Sequence, residues 1–305
     1  MEIHNEESLL NLALCCETSQ PARPFPLSEW FAFQKLCLRC GVSAGTVLGC
    51  SESELSSLLG LSAESAARTY ILLRRLPEIV RDMRAKAASG VSFLPYTDER
   101  FPLQLKERMG EQCPPVLYAV GNTELLRLPA AGYVGVREVE SDDLRFVQNT
   151  VAKTCAQGYA VVSGGARGVD TTAAHAAVAN GSAAVQFLCE SPFSGKLQRR
   201  DGMEVSKGTI LHLTHFYPTH SFSSDYAFFR NKLIYEYSQG TVIAHAHYGT
   251  GGTWSGAVRN IRDRGCKLYC RADAGYAGNA ALIGMGAIPI TADWDGAMLQ
   301  PRWSD

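Results

Sequence analysis

Apolar positions along the chain follow two different periods, and the change falls near residue 90. Before it, apolar residues recur at helical spacing. Trp30-Phe31-Ala32-Phe33-Gln34-Lys35-Leu36-Cys37-Leu38 is such a run, and Gly41-Val42-Ser43 ends it. Ser51-Glu52-Ser53-Glu54 has the hydroxyl and early acids of a helix N-terminus. Leu58-Leu59-Gly60-Leu61-Ser62 closes that helix on a glycine and opens the next, which runs through Tyr70-Ile71-Leu72-Leu73. Pro77 starts another that reaches Ala88 ahead of Ser89-Gly90. Residues 1–90 are therefore predicted to form a small all-helical domain. Such a bundle is either a helix-hairpin-helix or SAM-like module or a packing and protein-contact domain.

From Val91 onward, short β-branched or aromatic runs alternate with helical stretches. The predicted strands are Val91–Leu94, Val116–Val120, Ala131–Val136, Tyr159–Val162, Ala184–Leu188, Gly208–Leu211, Thr241–Ala244 and Lys267–Cys270. Helices are predicted over Asp142–Gln157, Thr171–Ala179, Asn231–Tyr237 and Thr253–Arg264, and the polar stretch Ser191–Lys207 is predicted to be loop. Alternation of this kind implies an α/β domain over residues 91–305: a Rossmann-like, mostly parallel sheet flanked by helices. Ligands of such sheets sit beyond the carboxyl ends of the strands, near the switch point.

Composition narrows the function classes. A hydrophobic content of 46% with 19% charged residues is ordinary for a globular protein with a real core. The net charge of −1 gives no global basic field, so any anionic partner must be met locally. Local basic clusters exist at Arg259, Arg262, Arg264, Lys267 and Arg271, and at Lys196, Arg199 and Arg200. The ten cysteines form no metal pattern: Cys37 and Cys40 make one C-x-x-C in a helical segment, with no second pair at zinc spacing. No metal site and no cofactor are expected. The chain shows no basic-then-apolar leader and no apolar run of membrane length, so the expectation is a cytoplasmic protein with reduced thiols and no membrane contact.

The chemistry concentrates in four segments. Ser163-Gly164-Gly165-Ala166-Arg167-Gly168-Val169-Asp170 joins a strand to an Ala-rich helix, with His175 five residues further on. Glycines there let the backbone approach a ligand and leave amide N–H groups at a helix start, which suits phosphate. Gly135-Val136-Arg137 follows another strand. Phe228-Phe229-Arg230-Asn231 is expected to open a helix. Thr250-Gly251-Gly252-Thr253 is a second glycine-rich strand-to-helix turn. Together they predict a crevice of amide donors, the hydroxyls of Ser163, Thr250 and Thr253, and the guanidinium groups of Arg137, Arg167 and Arg230. The dinucleotide fingerprint G-x-G-x-x-G and the Walker lysine are both absent, which argues against hydride transfer and NTP hydrolysis. Asp170 is read as a helix cap and His175 as a packed residue. His245 and His247 alternate on a strand. No Ser-His-Asp set can be assembled, so no catalytic residue is assigned.

These residues resemble the DNA-processing protein A (DprA, also called Smf) family, within the Rossmann-like SLOG superfamily. Its turns read V-G-S/T-R, S-G-x-A-x-G-I-D followed by A-H, R-N-R-I/L-I, and S-G-S/T-x-x-T-A. This chain has Val134-Gly135-Val136-Arg137, Ser163 to Asp170 with Ala174-His175, Arg230-Asn231-Lys232-Leu233-Ile234, and Gly251 to Ala257, in the same order. Phe101-Pro102 and Pro114-Pro115-Val116-Leu117-Tyr118 match the family's entry to the domain. It departs at Ala227-Phe228-Phe229-Arg230-Asn231, which lacks the family's proline.

The resemblance implies a non-catalytic binder of single-stranded DNA. It also implies a homodimer and a RecA-type recombinase as partner in DNA uptake. By position, Arg137, Ser163, Gly164, Gly165 and Arg230 would hold backbone phosphates, and Phe228 or Phe229 would stack on a base. The alternative is a nucleotide sensor or antitoxin-like partner of a phage-defence toxin. A third reading, a phosphoribohydrolase with a P-G-G-x-G-T-x-x-E turn, is disfavoured because Gly256 stands where the glutamate belongs.

Overall fold

A computed structural model describes residues 5–18, 22–218, 222 and 224–298. The chain divides into two compact units: one runs to Ala119 and includes His215–Tyr217, the other takes Val120–Thr214 and the chain from Pro218 on.

The first unit opens with α1 (Glu6–Cys15), α2 (Leu27–Cys40), α3 (Ala44–Gly49), α4 (Glu52–Leu59), α5 (Ala63–Arg74) and α6 (Leu76–Ala87). Hydroxyl and amide caps set the helix starts. Asn5 accepts from the Ser8 amide, and Ser51 and Glu54 form a reciprocal capping box. Gly41 and Gly60, both left-handed, close α2 and α4. The helices bury Leu12, Leu14, Trp30, Leu55 and Leu72 completely. Arg75 is also buried, and its guanidinium donates to the Ala13 and Cys16 carbonyls where α1 ends. Strand β1 (Val91–Pro95), helix α7 (Leu103–Met109) and strand β2 (Val116–Val120) follow, with β1 and β2 neighbours.

The second unit alternates β3 (Ala130–Val134), α8 (Ser141–Ala156), β4 (Ala160–Ser163), α9 (Val169–Ala179), β5 (Ala184–Phe187), α10 (Gly195–Lys207) and β6 (Ile210–Thr214). Then come α11 (Ser224–Tyr237), β7 (Gly240–Ile243), α12 (Gly251–Arg262), β8 (Lys267–Arg271), α13 (Ala277–Gly284) and β9 (Ile288–Ile290). Its strands lie in the order β6-β5-β4-β3-β7-β8-β9, every pair parallel. This is the Rossmann-like parallel sheet flanked by helices that the alternation predicts. The core gathers on Tyr133, Val147, Val161, Ala173, Ala177 and Val242. Strand β3 is the switch point: β4 pairs on one side of it and β7 on the other, so its carboxyl end faces a crevice between two crossovers.

Three local expectations are corrected. Ser191–Lys207 is not a loop throughout, because α10 occupies Gly195–Lys207. Ser194 caps it, left-handed Gly208 ends it, and only Leu197 and Asp201 are buried, so its apolar stripe is too thin to show in sequence. Phe228–Asn231 do not open a helix. They lie inside α11, which begins at Ser224. His245 and His247 likewise lie beyond the end of β7 rather than on it.

Candidate functional site

Three turns meet where β3, β4 and β7 end, and backbone polar groups stitch them together. The Val136 amide donates to the His245 carbonyl at 3.1 Å, and the Val169 amide to the Val136 carbonyl at 3.3 Å. The Thr253 hydroxyl donates to the Gly135 carbonyl at 2.9 Å. Gly168 has φ +81°, and a Cβ there would press on the Val136 and Arg137 carbonyls. The turns enclose a cleft of about 610 Å³, a volume typical of small-ligand sites. Gly135, Val136, Arg137 and Glu138 form one wall, Ala166, Arg167 and Asp170 a second, Arg230, Asn231 and Tyr235 a third, and His247 with Thr250–Thr253 the fourth.

The fourth wall is the start of α12. Thr250 is the N-cap residue, and its side chain makes no capping bond. Gly251, Gly252 and Thr253 line the cleft, so the first turn of α12, the positive end of its helix dipole, borders it. Arg137 and Arg167 are exposed on the cleft wall, and among the described residues neither pairs with a carboxylate.

Arg230 is held differently. It is only 5% exposed, with Nη1 3.4 Å from Asp170 Oδ2 and Nη2 3.7 Å from Cys189 Sγ. Among the described residues its Nε has no partner. The guanidinium lies where a side chain on residue 164 would be, so Gly164 is glycine for the sake of Arg230. Asp170 accepts from the Gly164 amide at 3.1 Å and from the Ala166 amide at 3.4 Å. Burial pushes its carboxyl above the ordinary carboxylate range, against the pull of Arg230 and these amides. Asp170 thus organises the turn before α9 rather than capping the helix, and it consumes two amides that sequence left free for a ligand.

Helix α10 braces the same turn from below. Arg200 donates from Nη1 to the Gly165 carbonyl at 2.8 Å and to Thr171 Oγ1 at 3.2 Å. Its Nε donates to Asp201 at 2.9 Å. Asp201 is fully buried, with His175 Nε2 at 3.0 Å and His212 Nε2 at 3.3 Å. Burial works to raise its carboxyl, but the bonds from His175, His212 and Arg200 outweigh it and hold the group well below the usual range. On the other flank, buried Asp143 takes Tyr276 Oη at 2.9 Å, Arg271 Nη1 at 3.1 Å and His245 Nδ1 at 3.2 Å. That set fixes the turn after β7, and among the described residues no cluster of His, Cys, Asp and Glu is placed to hold a metal ion.

Of the residues singled out by sequence, Gly135, Val136, Arg137, Arg167, Arg230, Asn231 and Thr250–Thr253 line one cleft. Ser163, Gly164, Gly165 and Gly168 lie under its wall. Ser163 is fully buried and spends its hydroxyl on the Asp170 carbonyl. Phe228 borders a smaller adjoining pocket with Asn231, Lys232 and Arg259, and Phe229 lines neither. Glu138 and Tyr235, which no motif of the sequence marked, line it too. Tyr235 stands four positions after Asn231, so the helical period of α11 was the signal that could have found it.

A family model described as DNA recombination-mediator protein A matches residues 92–293. DNA processing protein A from Streptococcus pneumoniae has a similar structure, with TM-score 0.70 at 16% identity, covering 95% of each chain. The same protein from Helicobacter pylori, whose structure is described for its single-stranded DNA binding mode, gives TM-score 0.57 at 22% identity, covering 66% of this chain and 90% of that one. Comparison with curated proteins finds no match.

Proposed function

We propose that this chain, which belongs to the DNA recombination-mediator protein A family, binds the phosphate backbone of single-stranded DNA in the cleft at the end of β3. The observation that carries the reading is that Arg137 and Arg167, which pair with no carboxylate among the described residues, line the same cleft as the uncapped start of α12. Phosphate satisfies both at once: guanidinium forks match its oxygens, and helix-start amides donate to it. Arg230 adds a buried guanidinium on the third wall, its Nε unpaired among the described residues. This reading assigns the cleft no covalent step. It holds an anion, and a polymer of anions is held by repeating the contact.

The reading also carries a homodimer and contact with a RecA-type recombinase. Sedimentation and co-precipitation on oligo-dT are the measurements for those.

The test is a fluorescence-anisotropy titration of labelled oligo-dT at several stated salt concentrations. The Arg137→Ala/Arg167→Ala double variant is expected to lose at least tenfold in affinity. Its salt slope should flatten by about 1.4, since each single-strand phosphate contact contributes ~0.7. Unchanged affinity and slope would refute the cleft assignment. AMP and ADP-ribose serve as competitors, because a cleft of about 610 Å³ also admits a mononucleotide. Displacement of oligo-dT by micromolar AMP would turn the reading toward a nucleotide sensor or antitoxin-like partner.

A further inference from the structure

We propose that Tyr248 and Trp254 form a base-stacking platform on the rim of the cleft. The platform takes a nucleobase of the strand whose phosphate lies against α12, and so rests on the single-strand reading above. The two residues bracket the open glycine-rich turn. Tyr248 follows His247 and Trp254 follows Thr253, and both of those neighbours line the cleft, whereas the two rings do not. The rings therefore stand just outside the phosphate cleft, on the same turn that offers the amides.

Tyr248 offers the exposed ring, and the half-buried Trp254 packs against it. The ring centroids are 5.0 Å apart at an interplanar angle of 59°, and Tyr248 is 64% exposed. Gly249 and Gly251 have φ +71° and +81°, so the turn doubles back and brings Tyr248 over the first turn of α12. Among the described residues no cation lies over either ring. The other exposed ring nearby, Phe228, is already engaged, with the Arg259 guanidinium 5.2 Å from its centroid. Stacking is indifferent to base identity because every base has a π face, so a sequence-tolerant strand binder gains affinity from such a platform without a readout. Phosphate on the amides and base on the rings would be two halves of one nucleotide's contact.

Anisotropy titrations compare oligo-dT with an abasic oligonucleotide of equal length at one salt concentration. The wild type should bind oligo-dT more tightly. Tyr248→Ala and Trp254→Ala should each weaken oligo-dT on the order of tenfold and leave abasic binding unchanged, while Tyr248→Phe and Trp254→Phe keep the wild-type affinity. Oligo-dT should also quench tryptophan emission in the wild type more than in Trp254→Phe. Tyr248 is exposed, so its substitution does not disturb the core. The platform is overturned if the alanine variants hold oligo-dT as tightly as the wild type, or if the wild type binds both oligonucleotides equally. Failure of the wild type to bind either one would instead overturn the single-strand reading itself.

Discussion

The two glycine-rich turns of this chain look alike in sequence and behave oppositely in the fold. The turn after β4 is filled from within. Asp170 takes the Gly164 and Ala166 amides, Arg230 occupies the space above Gly164, and Arg200 holds the Gly165 carbonyl. The turn after β7 is left open. A Cβ at Gly249 or Gly251 would meet nothing within 4 Å, and the helix that follows has no side-chain cap. Glycine serves close packing in the first case and open access in the second. A buried carboxylate with its partners makes a rigid wall, and the uncapped helix start is the seat that the proposed reading gives to an anion.

The comparison breaks most sharply at Asp201, beneath the filled turn. Removing one partner of a buried charge network leaves the others unpaired, so Asp201→Ala should cost about 3–5 kcal/mol in chemical denaturation. Its pH dependence has a definite sign. Asp201's carboxyl is depressed in the folded state, so its stabilisation is full above the unfolded value of about 3.9. That stabilisation is lost as pH falls through the depressed folded value. Acid titration of stability below about pH 4 should therefore be flatter in Asp201→Asn than in the wild type.

A matched pair of substitutions sharpens the contrast. Gly164→Ala must push the Arg230 guanidinium off Asp170 and should cost about 3 kcal/mol. Gly251→Ala meets open space and bears only the left-handed backbone penalty, about 1–2 kcal/mol. Equal costs in thermal melts would show that the two turns are not different in kind. The smallest effect is expected at the seam between the turns. Thr253→Val removes the hydroxyl that donates to the Gly135 carbonyl and should lower stability by about 1 kcal/mol. A larger loss would mean that this bond, rather than the glycine packing, holds the cleft closed on that side.

How far the cleft could be read in advance depended on which residues carried it. Arg137, Arg167 and the Thr250–Thr253 turn stand at strand ends, where topology alone puts them together, and they line one cleft. Arg230 reaches it from inside α11, because that helix starts earlier than its apolar spacing suggested. Helix α10 was hidden by polarity: it buries Leu197 and a charge, Asp201, whose partners come from α9 and β6. Ser163 looked like a ligand hydroxyl and is a buried structural one.

From residue order alone came the parallel α/β architecture, the helical N-terminal segment, and the convergence of glycine turns and arginines at one sheet edge. Those follow from local periodicity and from where strands must end. Which amides and cations remain unsatisfied was settled only in three dimensions. Hydrogen bonds and ion pairs between residues far apart in the chain consume some of them and spare others, and pairing at a distance leaves no trace in local sequence.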